Sequence, residues 1–479
     1  MATRAPRRGQ EIELLVERID ARGRGVGRLE GHTVRVSGAV PGQKVRARVQ
    51  GRRRGSIEAA RLAILEPGAG EVEPRCRHFA SCGGCSLQEL RYEVQLEHLR
   101  TLLERTLFPL SVGDVPVGGV PHVPPVIGCA DPWAYRNKMD FTFSNRRWIE
   151  PGEPEDVAAD FALGLHVTGR YEKVLDIERC EIAFPEASAI LGTARRLARE
   201  LELPPWDVKD HVGLLRHLVL RKGYATGEFM VNLVTAEEAP ERIDPYARGI
   251  VDAHPEVSTF VQNVNTRRAA VAVGETERVL FGPGRIVEEL AGLRFEISAN
   301  SFFQTNTRQA ERLLALVRER AACEGNEVVY DLCCGAGVLG LGLAGSAREV
   351  WGFELVPSAV EDARRNARIN ELGNARFVEG DLARTLHPDE LAARGCPAPQ
   401  VCVVDPPRAG LHAKAVAALR RLAPGRIVYV SCNPKSAVRD IAPLCADGYS
   451  VLHVDPIDLF PHTPHVECVF TLCRNRGPR

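Results

Sequence analysis

Two residues of this chain are best placed to do chemistry, a carboxylate and a thiol. Val401-Cys402-Val403-Val404-Asp405-Pro406-Pro407-Arg408 and Ile427-Val428-Tyr429-Val430-Ser431-Cys432-Asn433-Pro434 are apolar, β-branched runs of strand length. Each stops at a polar residue followed by proline. Side by side in a parallel sheet, they deliver Asp405 and Cys432 to one carboxyl-end rim. Ligands of open α/β sheets bind at that rim. A thiolate there can add to an electron-poor carbon, and a carboxylate can hold or move a proton.

The elements upstream read as a nucleotide site. Val328 to Leu332 is a predicted strand, Gly335-Ala336-Gly337 a tight turn, and Val338 to Ala344 opens a helix. Val350 to Phe353 is a second strand that ends at Glu354, an acid able to take both hydroxyls of a ribose. A third, Ala375 to Val378, leads to Asp381, within reach of an adenine amino group. Gly335 to Gly340 fits the Gly-x-Gly-x-x-Gly string of dinucleotide sites, but Asp331 before the turn suits a cationic, amino-acid-bearing ligand such as S-adenosylmethionine.

Asp-Pro-Pro is also found in methyltransferases that act on the exocyclic amines of bases, where an aromatic residue follows. Here Arg408 follows and a second motif supplies a thiol. Amine methylation needs no protein nucleophile. Methylation of uracil at C5 does, because C5 is a poor nucleophile until something adds at C6. Cys432 is the natural nucleophile, and an electropositive or hydrogen-bonding setting is expected to ready it. The base that removes the C5 proton must come from another segment. Phe460-Pro461-His462-Thr463-Pro464-His465-Val466-Glu467, before the final apolar run, offers Glu467, with His462 and His465 as scaffold.

Cys76, Cys82 and Cys85 fall within ten residues, among glycines that let the backbone fold around an ion. Cys180 is the candidate fourth ligand. Spacing alone does not separate zinc from iron–sulfur. Cys129, Cys323, Cys396, Cys402, Cys445, Cys468 and Cys473 are read as core residues.

At 479 residues the chain should form several domains. Residues 9–65 alternate short β-type runs (Glu11 to Ile19, Thr33 to Val36, Lys44 to Val49, Ser56 to Leu65) with glycine turns, which predicts a small β-barrel. Residues 1–65 hold 15 Lys+Arg against 6 Asp+Glu in a chain of net charge zero, so a basic module sits on an acidic remainder. That imbalance fits either a solvated terminal tail or a polyanion partner, and Arg52-Arg53-Arg54 suits a nucleic-acid-binding barrel. Helical periodicity runs through 86–107, and 111–125 is a Pro/Gly-rich linker. From Tyr135 to about Val279 the pattern is mostly strand, interrupted by helices near 186–201 and 237–252. No apolar run is long enough to cross a bilayer and no secretory signal is read, so a cytoplasmic protein is expected; a monomer is expected as well.

Gly25-Val26-Gly27-Arg28 with Val40-Pro41-Gly42 resembles the TRAM module, an RNA-binding barrel of the OB type. Together with Cys76/Cys82/Cys85/Cys180, Phe302-Phe303-Gln304, Asp331-Leu332-Cys333-Cys334-Gly335, Asp405-Pro406-Pro407-Arg408, Ser431-Cys432-Asn433-Pro434 and His465-Val466-Glu467, the chain resembles the bacterial TRAM-bearing, iron–sulfur RNA uridine-5 methyltransferases. The resemblance implies a TRAM-like barrel over 1–65, a central α+β domain over 66–290, and a Rossmann-like S-adenosylmethionine domain of α/β class over 291–479. It implies a [4Fe–4S] cluster on Cys76, Cys82, Cys85 and Cys180. Cofactor contacts would come from Gln304, Cys333, Gly335, Glu354, Asp381 and Asp405, with Cys432 as nucleophile and Glu467 as base. Members most like it act on 23S ribosomal RNA, and relatives lacking the cluster motif act on the T-loop of transfer RNA. Cys333 and Val338 depart from the family pattern, which has an aromatic residue and often Asn at those positions.

Overall fold

The structure, a computed structural model, describes residues 6–107, 123–150, 152–154, 156–269 and 271–475. The first sheet has six strands, ordered Glu11–Leu15, Lys44–Arg53, Ser56–Glu66, His32–Ser37, Gly25–Leu29, Arg18–Ile19. Ile12, Leu14, Val34, Val36, Val45, Ala47, Val49 and Ile57 alternate inward to fill it. The Gly25–Leu29 strand is not among the runs read from the sequence, where Gly23-Arg24-Gly25 reads as a turn. Its glycines serve close packing: a Cβ on Gly27 would lie 2.1 Å from the Leu15 carbonyl oxygen. Several barrel arginines are paired locally, Arg46 to Glu13 and Arg48 to Glu11, each at 3.0 Å. Arg52, Arg53 and Arg54 instead stand exposed at a hairpin tip. There Arg54 and Gly55 both adopt positive φ, as a tight two-residue turn requires.

The second sheet has eight strands, ordered Thr276–Phe281, Val257–Val264, Phe229–Thr235, Leu215–Lys222, Lys138–Ser144, Ala162–Val167, Arg170–Asp176, Arg147–Trp148. Helices Ala187–Glu200 and Pro240–Ala253 cover one face through Ile190, Leu191, Ile243, Tyr246 and Ile250.

The third sheet positions the site. Its seven strands run Ala375–Glu379, Glu349–Glu354, Val328–Leu332, Val401–Val404, Arg426–Ser431, Glu467–Arg474, Tyr449–Ile457. All are parallel except Glu467–Arg474, which inserts antiparallel between its two neighbours. The central parallel strands are buried on both faces, which is why they read as unbroken apolar runs. Helix Tyr92–Leu107 contributes Leu99, Leu103 and Leu107 to the core that holds Val404 and Tyr429, so residues distant in sequence complete this domain. The hairpin Arg285–Leu290/Leu293–Ser298 spans residue 290 and packs Ile286, Phe295 and Ile297 against helix Thr307–Ala321. The linker read at 111–125 lies mostly outside the described residues. Among the described residues no helix is long and apolar enough to cross a membrane.

Candidate active site

Strand register brings two acids and a thiol to one rim. Val404 pairs with Tyr429 and Ser431 with Cys468. Asp405 and Cys432 therefore lie just past the ends of adjacent parallel strands. The antiparallel strand starts at that same end, so its first residue, Glu467, arrives beside Cys432. Sequence patterning gave no sign of this insertion; only the order of strands places the last carboxylate next to the thiol.

The loops are tied together below the rim. Asn433 Nδ2 and Ser436 Oγ donate to the Arg408 carbonyl at 2.9 and 3.3 Å. The Asp440 carboxylate, buried, accepts from Leu411 N–H and Tyr429 O–H, each at 2.7 Å. Arg408 reaches His465 Nδ1 at 3.1 Å.

Electrostatics divide the three groups. Burial raises the Glu467 carboxyl well above its usual range, and the nearby Asp405 charge raises it further. Burial pushes Asp405 up to about 7. Glu467 is 3 % exposed and its Oε1 has no hydrogen-bond partner, leaving an acceptor free to take a proton. Cys432 is half-buried, and burial together with Glu467 and Asp405 pushes its thiol up to about 11, with Arg408 opposing. The setting of the thiol is mixed: two acids flank it, while Arg408 and a backbone hydrogen bond favour its charged form.

The cofactor side lies on the neighbouring strands. Asp331 is fully buried, its Oδ2 accepting from Gly340 N–H at 2.8 Å while Oδ1 lacks a partner; burial pushes it up to about 7. Glu354 accepts from Gly335 N–H at 3.0 Å and from Leu355 and Val356 N–H at 2.7 and 2.9 Å. Cys333 takes a left-handed backbone at φ 63° with its N–H on the Phe353 carbonyl, and its thiol lies within electrostatic reach of Glu354 and Asp405. Asp381 caps the short helix Leu382–Thr385 through Ala383 N–H at 2.7 Å. Gln304 comes from the segment before helix Thr307–Ala321, its carbonyl accepting from Asn137 Nδ2 at 2.8 Å. Asp331, Cys333, Gly335, Glu354 and Asp405 thus share the rim, with Asp381 beyond the adjoining strand.

Elsewhere, Cys76, Cys82, Cys85 and Cys180 line one cavity of about 350 Å³. Each thiol lies within electrostatic reach of others in the set. Gly83 N–H bonds the His166 carbonyl at 3.0 Å and Thr168 N–H the Ser81 carbonyl at 2.9 Å, folding the loop over the strand. Among the described residues no group of three or more His, Cys, Asp or Glu is arranged to hold a single metal ion. Of the cysteines read as core, Cys402, Cys445 and Cys468 are buried, whereas Cys129, Cys323, Cys396 and Cys473 are half-buried.

An open α/β sheet with a glycine turn, a ribose-type acid and an Asp–thiol–Glu trio on its carboxyl rim defines a methyltransferase of the S-adenosylmethionine-dependent class. The comparisons carry this further. The family model for tRNA (uracil-5-)-methyltransferase matches residues 270–475, and that for the TRAM domain residues 6–60. An uncharacterized RNA methyltransferase of Chlorobaculum tepidum is 39% identical, covering 97% of this chain and 96% of the relative. One of Caldanaerobacter subterraneus subsp. tengcongensis is 37% identical, covering 96% and 98%. The crystal structure of Pyrococcus abyssi tRNA (uracil-54, C5)-methyltransferase in complex with S-adenosyl-L-homocysteine aligns with a TM-score of 0.74 at 29% identity, covering 96% of this chain and 100% of that one. The chain belongs to the S-adenosylmethionine-dependent RNA uracil-5 methyltransferase family.

Proposed function

We propose that the enzyme methylates C5 of a uridine in 23S ribosomal RNA through a covalent Cys432–C6 adduct. The observation that carries this is the meeting of Cys432, Glu467 and Asp405 on three adjacent strand ends, beside the glycine turn and Glu354. S-adenosylmethionine, when bound, supplies the methyl group and a sulfonium cation that offsets the two acids. The Cys432 thiolate, its proton lost to solvent, adds to C6 and makes C5 nucleophilic. C5 takes the methyl group; Glu467 then removes the C5 proton, C5=C6 re-forms and the Cys432 sulfur leaves with its electron pair. Asp405, between the cofactor rim and Cys432, lines the pocket for the base, which must leave its stack to reach the thiol. Gln304, Gly335, Glu354 and Asp381, with the Cys333 backbone, hold the cofactor.

The four cysteines suit an iron–sulfur cluster. All four line one cavity, and the loop that carries three of them closes on the strand end at Val167-Thr168, which lines the same cavity as Cys180. We assign Cys76, Cys82, Cys85 and Cys180 as its ligands, with a structural role, since methyl transfer needs no electron. A Cys180→Ser protein that retained full iron and sulfide content would refute the ligand set. The ribosomal assignment rests on resemblance through these cysteines. The T-loop of transfer RNA is a second reading, favoured by the full-length likeness to the Pyrococcus abyssi enzyme. The deciding experiment incubates Glu467→Gln with S-adenosylmethionine and unmodified total RNA. A methylated adduct should persist as a slow band on a denaturing protein gel, and sequencing the trapped RNA names the target. No adduct, with the native enzyme active, removes Glu467 as base.

A further inference from the structure

We infer that Gln95 is a positioning residue for proton removal, holding the loop that sets Glu467 in place. The inference rests on Glu467 being the base. No hydrogen bond reaches Glu467 Oε1, so backbone placement must aim that atom. The loop 458–466 leading to it is held at His462, which adopts φ 67°, a left-handed conformation that persists in a non-glycine residue only when its surroundings enforce it.

The enforcement comes largely from one direction. The His462 carbonyl accepts from Ser86 and Leu87 N–H at 2.9 and 3.1 Å. Its own N–H donates to Gln95 Oε1 at 3.1 Å, and Gln95 Nε2 meets His462 Nδ1 at 3.2 Å and the Leu90 carbonyl at 2.8 Å. Gln95 and His462 are 1 % and 3 % exposed. Trp133 stacks on the imidazole at 4.0 Å, and Tyr135 O–H donates to the Pro461 carbonyl at 3.2 Å. Burial lowers His462 to about 4, so its neutral ring accepts the amide hydrogen at Nδ1. Ser86 directly follows Cys85. The end of the cysteine loop and the first helix therefore grip the same histidine, five residues before Glu467. A misplacement of order 1 Å at a reacting group slows its step about 10²-fold. Thiol addition, performed from a different strand, does not depend on this grip.

The test uses full-length Gln95→Met, close in size without polar atoms, and Gln95→Glu, which keeps an acceptor for His462 N–H. Adduct on denaturing gels and 5-methyluridine by mass spectrometry are followed in time with S-adenosylmethionine and unmodified RNA. Gln95→Met should form adduct at the native rate and release it up to about 10²-fold more slowly. Gln95→Glu should fall between, and it carries the test if Gln95→Met does not fold. Adduct formation falling in step with product, or release at the native rate, overturns the positioning role. Glu467→Gln is run in parallel: its normal turnover would overturn the base assignment itself, whereas a trapped Glu467→Gln beside a freely releasing Gln95 variant overturns the inference alone.

Discussion

Replacing Asp405 with asparagine should stabilise the enzyme while disabling it. The Asp405 carboxyl rises from an ordinary 3.8 to about 7 because burial disfavours its charge. A raised acid binds its proton more tightly when folded. Between pH 4 and 7 the folded state thus holds more protons than the unfolded one, and stability falls as pH rises through that window, then levels off. Three units at about 1.4 kcal/mol each give roughly 4 kcal/mol as an upper bound. Asp405 keeps a partly exposed edge, so about 2 kcal/mol is the expected gain for Asp405→Asn at pH 8, shrinking toward zero near pH 4. Calorimetric unfolding of both proteins at pH 5 and pH 8 measures the difference. An equal gap at the two pH values, or a variant less stable at pH 8, would refute the reasoning. Loss of methylation alongside the gain is the usual exchange at a strained site.

Three further outcomes follow from the geometry. If Glu467 is the base it must be ionised to take the C5 proton, and because its carboxyl is raised, release of preformed adduct should quicken as pH rises. Adduct formed at one fixed pH and then shifted to pH 6 or pH 8 should decay faster at pH 8 on denaturing gels, and equal decay would refute this. Changing Arg52, Arg53 and Arg54 together to alanine should weaken RNA binding and flatten its salt dependence by a slope of about 2 to 3, leaving S-adenosylmethionine affinity unchanged; titrations at several salt concentrations test both. A Cβ at Gly340 would lie 2.8 Å from Asp331 Oδ2, so Gly340→Ala should displace the glycine turn and weaken cofactor binding about tenfold or more by calorimetry, a cost of order 1–3 kcal/mol.

The rim chemistry was legible because buried parallel strands have no polar face: Val401–Val404 and Arg426–Ser431 announce their ends by the first polar residue and proline. Glu467 stands out in the sequence as a candidate base, but its placement beside Cys432 does not, since nothing in Glu467–Arg474 says it pairs antiparallel with Arg426–Ser431. The Gly25–Leu29 strand was hidden because glycine serves both turns and close strand approach. Likewise, apolar neighbours made Cys129 and Cys323 look buried, whereas both are half-buried. The two acids beside Cys432 were not legible as its neighbours for a related reason: the charges around a thiol come from other strands.

The antiparallel strand also sets an order of assembly. Glu467–Arg474 follows every other member of its sheet in the chain, yet it occupies an interior place. Until it arrives during synthesis, Arg426–Ser431 is an open edge and Cys432 lacks the Glu467 carboxylate beside it. A nascent chain can gather the proposed cofactor residues and the thiol early, but it lacks the carboxylate proposed to release product. Competence for turnover is therefore reached in one late step, when the final strand closes the sheet.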